Sequence, residues 1–297
     1  MDWLLYIFAR GCVGLLQALP LPAVARLGRA GGALAYWLDA RHRHVALAGL
    51  GHAFAGEKSP AEIRMLAKEN FRRLGENYAC AIKTASMSLQ ALRPHLEFIC
   101  GPELLQPPSD QKPPNLVVAI GHFGNFELYA RFSQLCPAYQ CGTTYRALRQ
   151  ESLSRLMQQL RERSGCRYFE RRTDATALKA FMNDQGVMLG LLADQHAGNG
   201  VRLPFFGREC SSSTAPAIFA LRYRCALRTG ICYRIGLARW RIEAGPEIPT
   251  QENGSARSVA DITLDVNRAF ETAIRRDPAN WFWVHNRWKP PRQAGPA

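Results

Sequence analysis

The sequence predicts an α/β fold: a mostly parallel mixed sheet covered by helices, preceded by an N-terminal membrane-associating helical segment. Three observations point to it. Short apolar runs rich in β-branched residues, such as Leu116-Val117-Val118-Ala119-Ile120 and the stretch from Val187 to Ala193, read as strands buried on both faces. Segments of helical period alternate with them, as in parallel strands joined by helices. Ahead of both, Trp3 to Pro20 is almost wholly apolar, interrupted by Arg10 and Gln17.

That first stretch, about eighteen residues, lies at the lower edge for a membrane span. Ala23-Val24-Ala25 offers a signal-peptidase pattern, but Asp2 precedes the apolar core without any Lys or Arg, and Arg10 splits it. A second apolar stretch, Ala30 to Leu38, leads into Arg41-His42-Arg43-His44. We therefore expect an uncleaved membrane-associating helical hairpin over 1–44, its basic end at anionic lipid on the cytoplasmic face. The alternative is a buried helix pair of a soluble protein. Residues 45–297 read as a single α/β domain.

Within it, Ser59-Pro60-Ala61-Glu62 is a helix start with Pro at the first position and the Ser/Glu capping box. Ile63, Leu66, Phe71, Leu74, Tyr78 and Ile82 continue it as an amphipathic scaffold helix. Gln106 to Asp110 and Lys112-Pro113-Pro114 punctuate the chain before the central strand. A helix from Asn125 to Leu135 follows, with Asn125 at its cap, then a strand from Tyr139 to Tyr145. Helix Gln150 to Arg163, strand Cys166 to Phe169, helix Asp174 to Asn183 and strand Val187 to Ala193 continue the alternation. Ser213 to Arg224 reads as helix, Gly230 to Gly236 and Arg239 to Ala244 as a late antiparallel pair, and Ser255 to Arg276 as the closing helix. No internal repeat is present.

Composition is globular, 47% hydrophobic and 21% charged. The net charge of +14 favours an anionic partner, whether nucleic acid, anionic membrane or acidic carrier protein, unless it is only a soluble basic surface. No nucleic-acid recognition motif accompanies it, so nucleic acid is not expected as a partner. The nine cysteines are scattered without a C-x-x-C spacing, which argues against a zinc site or a disulfide framework.

The chemistry is expected at Gly121-His122-Phe123-Gly124-Asn125-Phe126-Glu127, directly after the buried strand. Within one helix, His122 and Glu127 would stand roughly 140° apart, so they meet only if His122 lies on the turn before the helix. Gly121 and Gly124 permit that turn. A His held by a carboxylate at the carboxyl end of a strand suits a general base. A second His-x4-Glu, His52 to Glu57, has no strand before it and reads as scaffold. Arg146 and Arg149 follow a strand end, where side chains that bind phosphate are useful.

The Gly121 to Glu127 block resembles the signature of the lipid A biosynthesis (lauroyl/myristoyl) acyltransferases within the lysophospholipid acyltransferase-like superfamily. The likeness continues in Ala193-Asp194-Gln195, in Leu203-Pro204-Phe205-Phe206-Gly207-Arg208, in Thr214-Ala215-Pro216-Ala217 and in Trp283-Val284-His285-Asn286-Arg287-Trp288-Lys289. Gly49 stands where the family usually has Asn, and Trp288 where Phe is common. The resemblance implies acyl transfer from an acyl thioester, acyl carrier protein or acyl-CoA, to a hydroxyl of an anionic lipid acceptor, without a cofactor, at the cytoplasmic face of the bacterial inner membrane. His122 would take the hydroxyl proton while Glu127 fixes the imidazole. No Gly-x-Ser-x-Gly elbow supports a serine acyl-enzyme. Arg161 and Asp194 match positions that look functional in related acyltransferases, and an Arg–Asp pair would order the pocket or hold a head group. His196 is a candidate second base, but reads better as a residue that stabilises its loop. Phe205-Phe206 and Trp281-Phe282-Trp283 suit an acyl tunnel or the membrane interface, with core packing the default. Arg287 and Lys289 suit a lipid-phosphate rim. Another acceptor (a glycolipid, an ornithine-type lipid or a lysophospholipid) or a catalytically silent lipid-binding protein are the alternatives.

Overall fold

A computed structural model describes residues 2–101, 104 and 112–289. The expected punctuation over Gln106 to Asp110 lies outside the described residues.

Four helices lead: α1 (Asp2–Ala18), α2 (Leu21–Leu38), α3 (Ala40–Ala53) and α4 (Pro60–Ser86). The capping box at Ser59 forms, its side chain accepting from Glu62 N–H while the Glu62 carboxylate accepts from Ser59 N–H. Helix α2 lies along α4 with backbones nearly in contact. A Cβ at Gly75 would stand 2.7 Å from Gly32 N and 2.9 Å from Gly32 Cα, so only glycine allows this approach. Helix α1 joins the end of α4, where Gln17 and Ile82 are hydrogen-bonded. The expected hairpin is thus replaced by two helices that each use α4 as their partner, because α4 offers the longer amphipathic face. Among the described residues no helix is long and apolar enough to cross a membrane.

Seven strands of the described chain form one sheet: β1 (Leu96–Ile99), β2 (Leu116–Ile120), β3 (Gln140–Tyr145), β4 (Arg167–Glu170), β5 (Val187–Leu192), β8 (Ala226–Gly236) and β9 (Arg239–Glu247). Their order is β1-β9-β8-β2-β5-β3-β4, parallel throughout except for the antiparallel β8/β9 pair. Between β5 and β8 the chain forms a separate hairpin, β6 (Val201–Phe205) with β7 (Arg208–Ser212). Helices α5 (Glu151–Glu162), α6 (Ala175–Met182), α7 (Ala215–Tyr223) and α8 (Val259–Arg276) connect and cover the strands.

Two local expectations are corrected. After Gly124 the chain runs as a 3-10 turn, Phe126–Arg131, and only then as a short helix, Phe132–Leu135. Asn125 makes no capping bond; its buried side chain reaches towards Thr84 instead. The closing helix begins at Val259 with Ser258 as its cap, since Ser255–Ala256 pairs with Gln251–Glu252.

Glu76 is a fully enclosed charge. Glu76 accepts from Arg29, from Arg234 Nε at 2.8 Å and from Ala238 N–H at 2.9 Å, tying α2, α4 and the β8/β9 turn together. On α1 and α2 the outward side stays apolar, with Trp3 and Phe8 each 69% exposed and Trp37 66%.

Candidate active site

Ile120 at the end of β2 and Leu192 at the end of β5 are register partners in a parallel pair. Two residues beyond each, His122 and Asp194 leave the sheet side by side, one strand spacing (about 4.8 Å) apart. His122 Nδ1 is 2.8 Å from Asp194 Oδ1, and the His122 backbone N–H donates to Oδ2 at 2.8 Å. The Trp281 indole donates to the same Oδ2 at 2.7 Å. Burial acts to raise the Asp194 pKa, but the charge and hydrogen bonds of His122, together with Trp281, outweigh it and hold the carboxyl below its ordinary value. A carboxylate only accepts, so it places the imidazole proton on Nδ1 and leaves the Nε2 lone pair facing outward. Nε2 lies 3.4 Å from the Gln195 amide. Phe126 meets the imidazole edge-on at 4.8 Å and Phe282 covers it at 5.6 Å.

The loop that carries His122 is clamped from the C-terminal segment. Gly124 N–H donates to Asn280 O at 3.1 Å, Phe123 bridges to Trp281, and Asn70 of α4 holds the Trp281 carbonyl at 2.6 Å. Gly124 has φ +51°, and a Cβ there would meet Cys232 O at 2.6 Å.

The expected partners are exchanged. Glu127 does not bond His122; its carboxylate takes a bidentate pair from Arg161, with Arg161 Nε 3.0 Å from Oε2. The 3-10 turn after Gly124 aims Glu127 along the cavity wall towards α5, while the β2/β5 register has already supplied His122 with Asp194. The proposed Arg161–Asp194 pair is corrected for the same reason. Burial works against the Arg161 charge, and the hydrogen bonds and charge of Glu127 more than restore it, so its pKa is raised.

His122, Glu127, Arg146 and Arg161 line one cavity of about 830 Å³, a size suited to a substantial organic ligand. Its floor is apolar, formed by Leu104, Leu116, Val118, Cys141 and Met188 on one face of the sheet. Asp194 stands behind His122, buried at 1% exposure. Phe282 faces the cavity, whereas Phe205, Phe206, Trp281 and Trp283 belong to the core.

Arg287 is not at a rim. It is fully buried, donating to Ser211 O, Ser212 Oγ and Asn267 Oδ1. His196 lines the cavity, and its backbone N–H donates to His285 Nε2 at 3.0 Å. The second His-x4-Glu is scaffold, as expected: His52 packs on Trp288 and Glu57 pairs with Arg275.

Sequence reasoning missed Trp281 and Gln195 as neighbours of His122. Gln195 follows Asp194 directly, so placing β5 beside β2 would have found it. Trp281 lies in a non-regular C-terminal segment that no periodicity could place.

The model of one family, described as Bacterial lipid A biosynthesis acyltransferase, matches residues 1–290. The lipid A biosynthesis palmitoleoyltransferase of Escherichia coli (strain K12) is 25% identical over 296 residues, covering 97% of this chain and 91% of that protein. The lipid A biosynthesis acyltransferase of Shigella flexneri shows the same identity and coverage. A match over nearly the full length shows the chain to be an O-acyltransferase that belongs to the bacterial lipid A biosynthesis acyltransferase family.

Proposed function

We propose that the chain moves a fatty acyl group from an acyl thioester, carried by acyl carrier protein, to a hydroxyl of a lipid A precursor. The observation that carries this reading is the His122–Asp194 contact at the wall of a large cavity with an apolar floor. The acyl chain lies along Leu116, Val118 and Met188, with its thioester carbonyl at His122. His122 Nε2 takes the proton of the acceptor hydroxyl as its oxygen attacks the carbonyl carbon. Asp194 stabilises the imidazolium that forms. The C–S bond then breaks and the imidazolium returns its proton to the leaving thiolate, giving an ester and a free thiol.

Direct transfer is favoured over a cysteine acyl-enzyme. Burial pushes the cavity thiol of Cys141 up to about 12 and that of Cys166 well above its ordinary value, so neither supplies thiolate near neutral pH. Glu127 and Arg161 keep a substrate role in this scheme: their ion pair shapes the wall beside the base and offers polar groups to the acceptor. Arg146 offers a further cation at the mouth.

The exposed apolar side chains of α1 and α2, among Arg10, Arg26 and Arg41, suit a helix pair lying in the interface of the inner membrane at its cytoplasmic face. Incubating purified protein with acyl carrier thioester and a lipid A precursor tests the reaction by mass spectrometry. The expected product is heavier by one acyl chain and absent with His122→Ala. No acylated product with this pair, or full turnover by a folded His122→Ala variant, overturns the proposal.

A further inference from the structure

The register that brings His122 to Asp194 continues across the sheet. Thr143 pairs with Gly190 in β3/β5, and Tyr145 pairs with Glu170 in the parallel β3/β4 ladder. Arg146 and Arg171 are the next residues of their strands, and Arg171 N–H donates to Tyr145 O at 3.0 Å, extending that ladder. Four side chains thus leave one edge of the sheet in spatial order: His122, Asp194, Arg146, Arg171. With strands about 4.8 Å apart, Arg146 starts roughly 10 Å from His122 and Arg171 one strand further.

Both residues line the cavity and are partly exposed to solvent. Their setting differs from that of Arg29, Arg73, Arg161, Arg234 and Arg276, each of which meets a carboxylate. Among the described residues neither Arg146 nor Arg171 has a carboxylate partner. The adjacent acid, Glu170, gives its oxygens to the backbone N–H groups of Ala147, Arg172 and Thr173. Thr144 Oγ1 accepts from Arg171 Nε at 3.3 Å, which holds the stem and leaves the two terminal nitrogens for a ligand. Two like charges held side by side repel one another, and a bound anion relieves this. Burial first and Arg146 second lower the pKa of Arg171, and the nearby Glu170 charge opposes them without forming an ion pair.

We propose that Arg146 and Arg171 form a clamp for a phosphate ester of one substrate at the mouth of the catalytic cavity. Guanidinium groups match phosphate oxygens in bidentate geometry, and a clamp two to three strands from the base fixes how far the reacting carbonyl or hydroxyl lies from that phosphate. Two sources share this chemistry, a phosphate monoester on the acceptor sugar and the phosphodiester of the donor's pantetheine arm. The identity of the substrate rests on the acyl-transfer reading, whereas the capture of phosphate does not.

The experiment compares the full-length protein with Arg146→Ala/Arg171→Ala in two arms. In the first, His122→Ala, with and without the two Arg substitutions, is titrated calorimetrically with a phosphorylated glucosamine-disaccharide lipid and with its dephosphorylated form. In the second, KM and kcat are measured for acyl carrier protein thioester against acyl pantetheine, which lacks the phosphate. The Arg substitutions are expected to cost about tenfold to a hundredfold in affinity or KM for one phosphorylated ligand only, with its unphosphorylated counterpart bound equally by both forms. Loss in the first arm assigns the clamp to the acceptor, and loss in the second assigns it to the donor. Equal behaviour of the substituted and unsubstituted protein towards every phosphorylated ligand overturns the clamp. Acyl carrier protein and its form without the phosphopantetheine arm are titrated calorimetrically into the same proteins, so either source of phosphate is read even where no acyl transfer is detected and the two proposals fail separately.

Discussion

Replacing Asp194 by Asn tests the base most directly. Asp194 accepts three N–H groups, at 2.8 Å from His122 Nδ1, 2.8 Å from His122 N and 2.7 Å from Trp281 Nε1. Asparagine has one acceptor oxygen, and the Oδ2 position, where two donors converge, is the better place for it. Its amide NH2 then faces His122 Nδ1, which must become the acceptor, so the imidazole proton moves to Nε2. In that tautomer Nε2 cannot take the hydroxyl proton. A tautomer reversed in this way in a serine protease triad costs about 10⁴ in kcat, equivalent to about 5.5 kcal/mol of barrier, and a loss of about 10³–10⁴ is expected here. The assay is thioester turnover, with nitrogen NMR of the His122 ring to read the tautomer and a melting curve to show that the variant folds. If folded Asp194→Asn turned over within about tenfold of the parent, well short of that loss, Asp194 would not be what orients the base.

Other outcomes follow from the packing and the titrating groups. Burial above all, opposed by Asp194 and reinforced by Lys289, pushes the His285 pKa from 6.5 down to about 4. Between those values the unfolded chain binds a proton that the folded chain excludes, so stability falls as pH drops from about 6.5 to about 4, by about 2 kcal/mol after allowance for solvent at this half-buried ring. His285→Gln retains an acceptor for His196 N–H, and denaturant titrations at pH 7 and pH 5 should show a smaller pH dependence; an unchanged slope would exclude His285 as its source. Gly75→Val forces α2 and α4 apart at Gly28 and Gly32, which should lower the melting temperature by about 4–10 °C in a thermal scan. A variant melting with the parent would mean that the helices are not in contact there. Trp3→Glu with Phe8→Glu should abolish sedimentation with anionic vesicles and leave the melting temperature unchanged, since both side chains are exposed. Retained sedimentation would place the membrane contact elsewhere.

Much of the sheet was legible because its strands are buried on both faces and read as unbroken apolar runs. The 116–120 and 187–193 runs matched observed strands within a residue. What remained hidden lay where periodicity carries no signal. The β6/β7 hairpin contains Pro204, and its two five-residue strands carry no sustained apolar alternation, so it read as a motif block. The 3-10 turn at Phe126–Arg131 looks helical in sequence, because two turns of either helix share their apolar spacing.

The site shows the same division more sharply. His122, Glu127, Arg161 and Asp194 were singled out in the sequence and do gather at one cavity, but their pairing was not legible. Spacing along the chain joins His122 to Glu127, yet the contact that forms joins His122 to Asp194, 72 positions away. Pairing across a parallel sheet is set by register, and register depends on strand order, which no local pattern contains. Once β5 is known to lie beside β2, equal steps past Ile120 and Leu192 give the His–Asp contact without side-chain modelling. One further step past Tyr145 and Glu170 gives the Arg146–Arg171 pair. The edge of this sheet therefore carries His122, Asp194, Arg146 and Arg171 on four adjacent strands. On the proposed reading strand spacing sets the distance between the base and the cationic pair, so substitutions in loops should alter affinity without moving it.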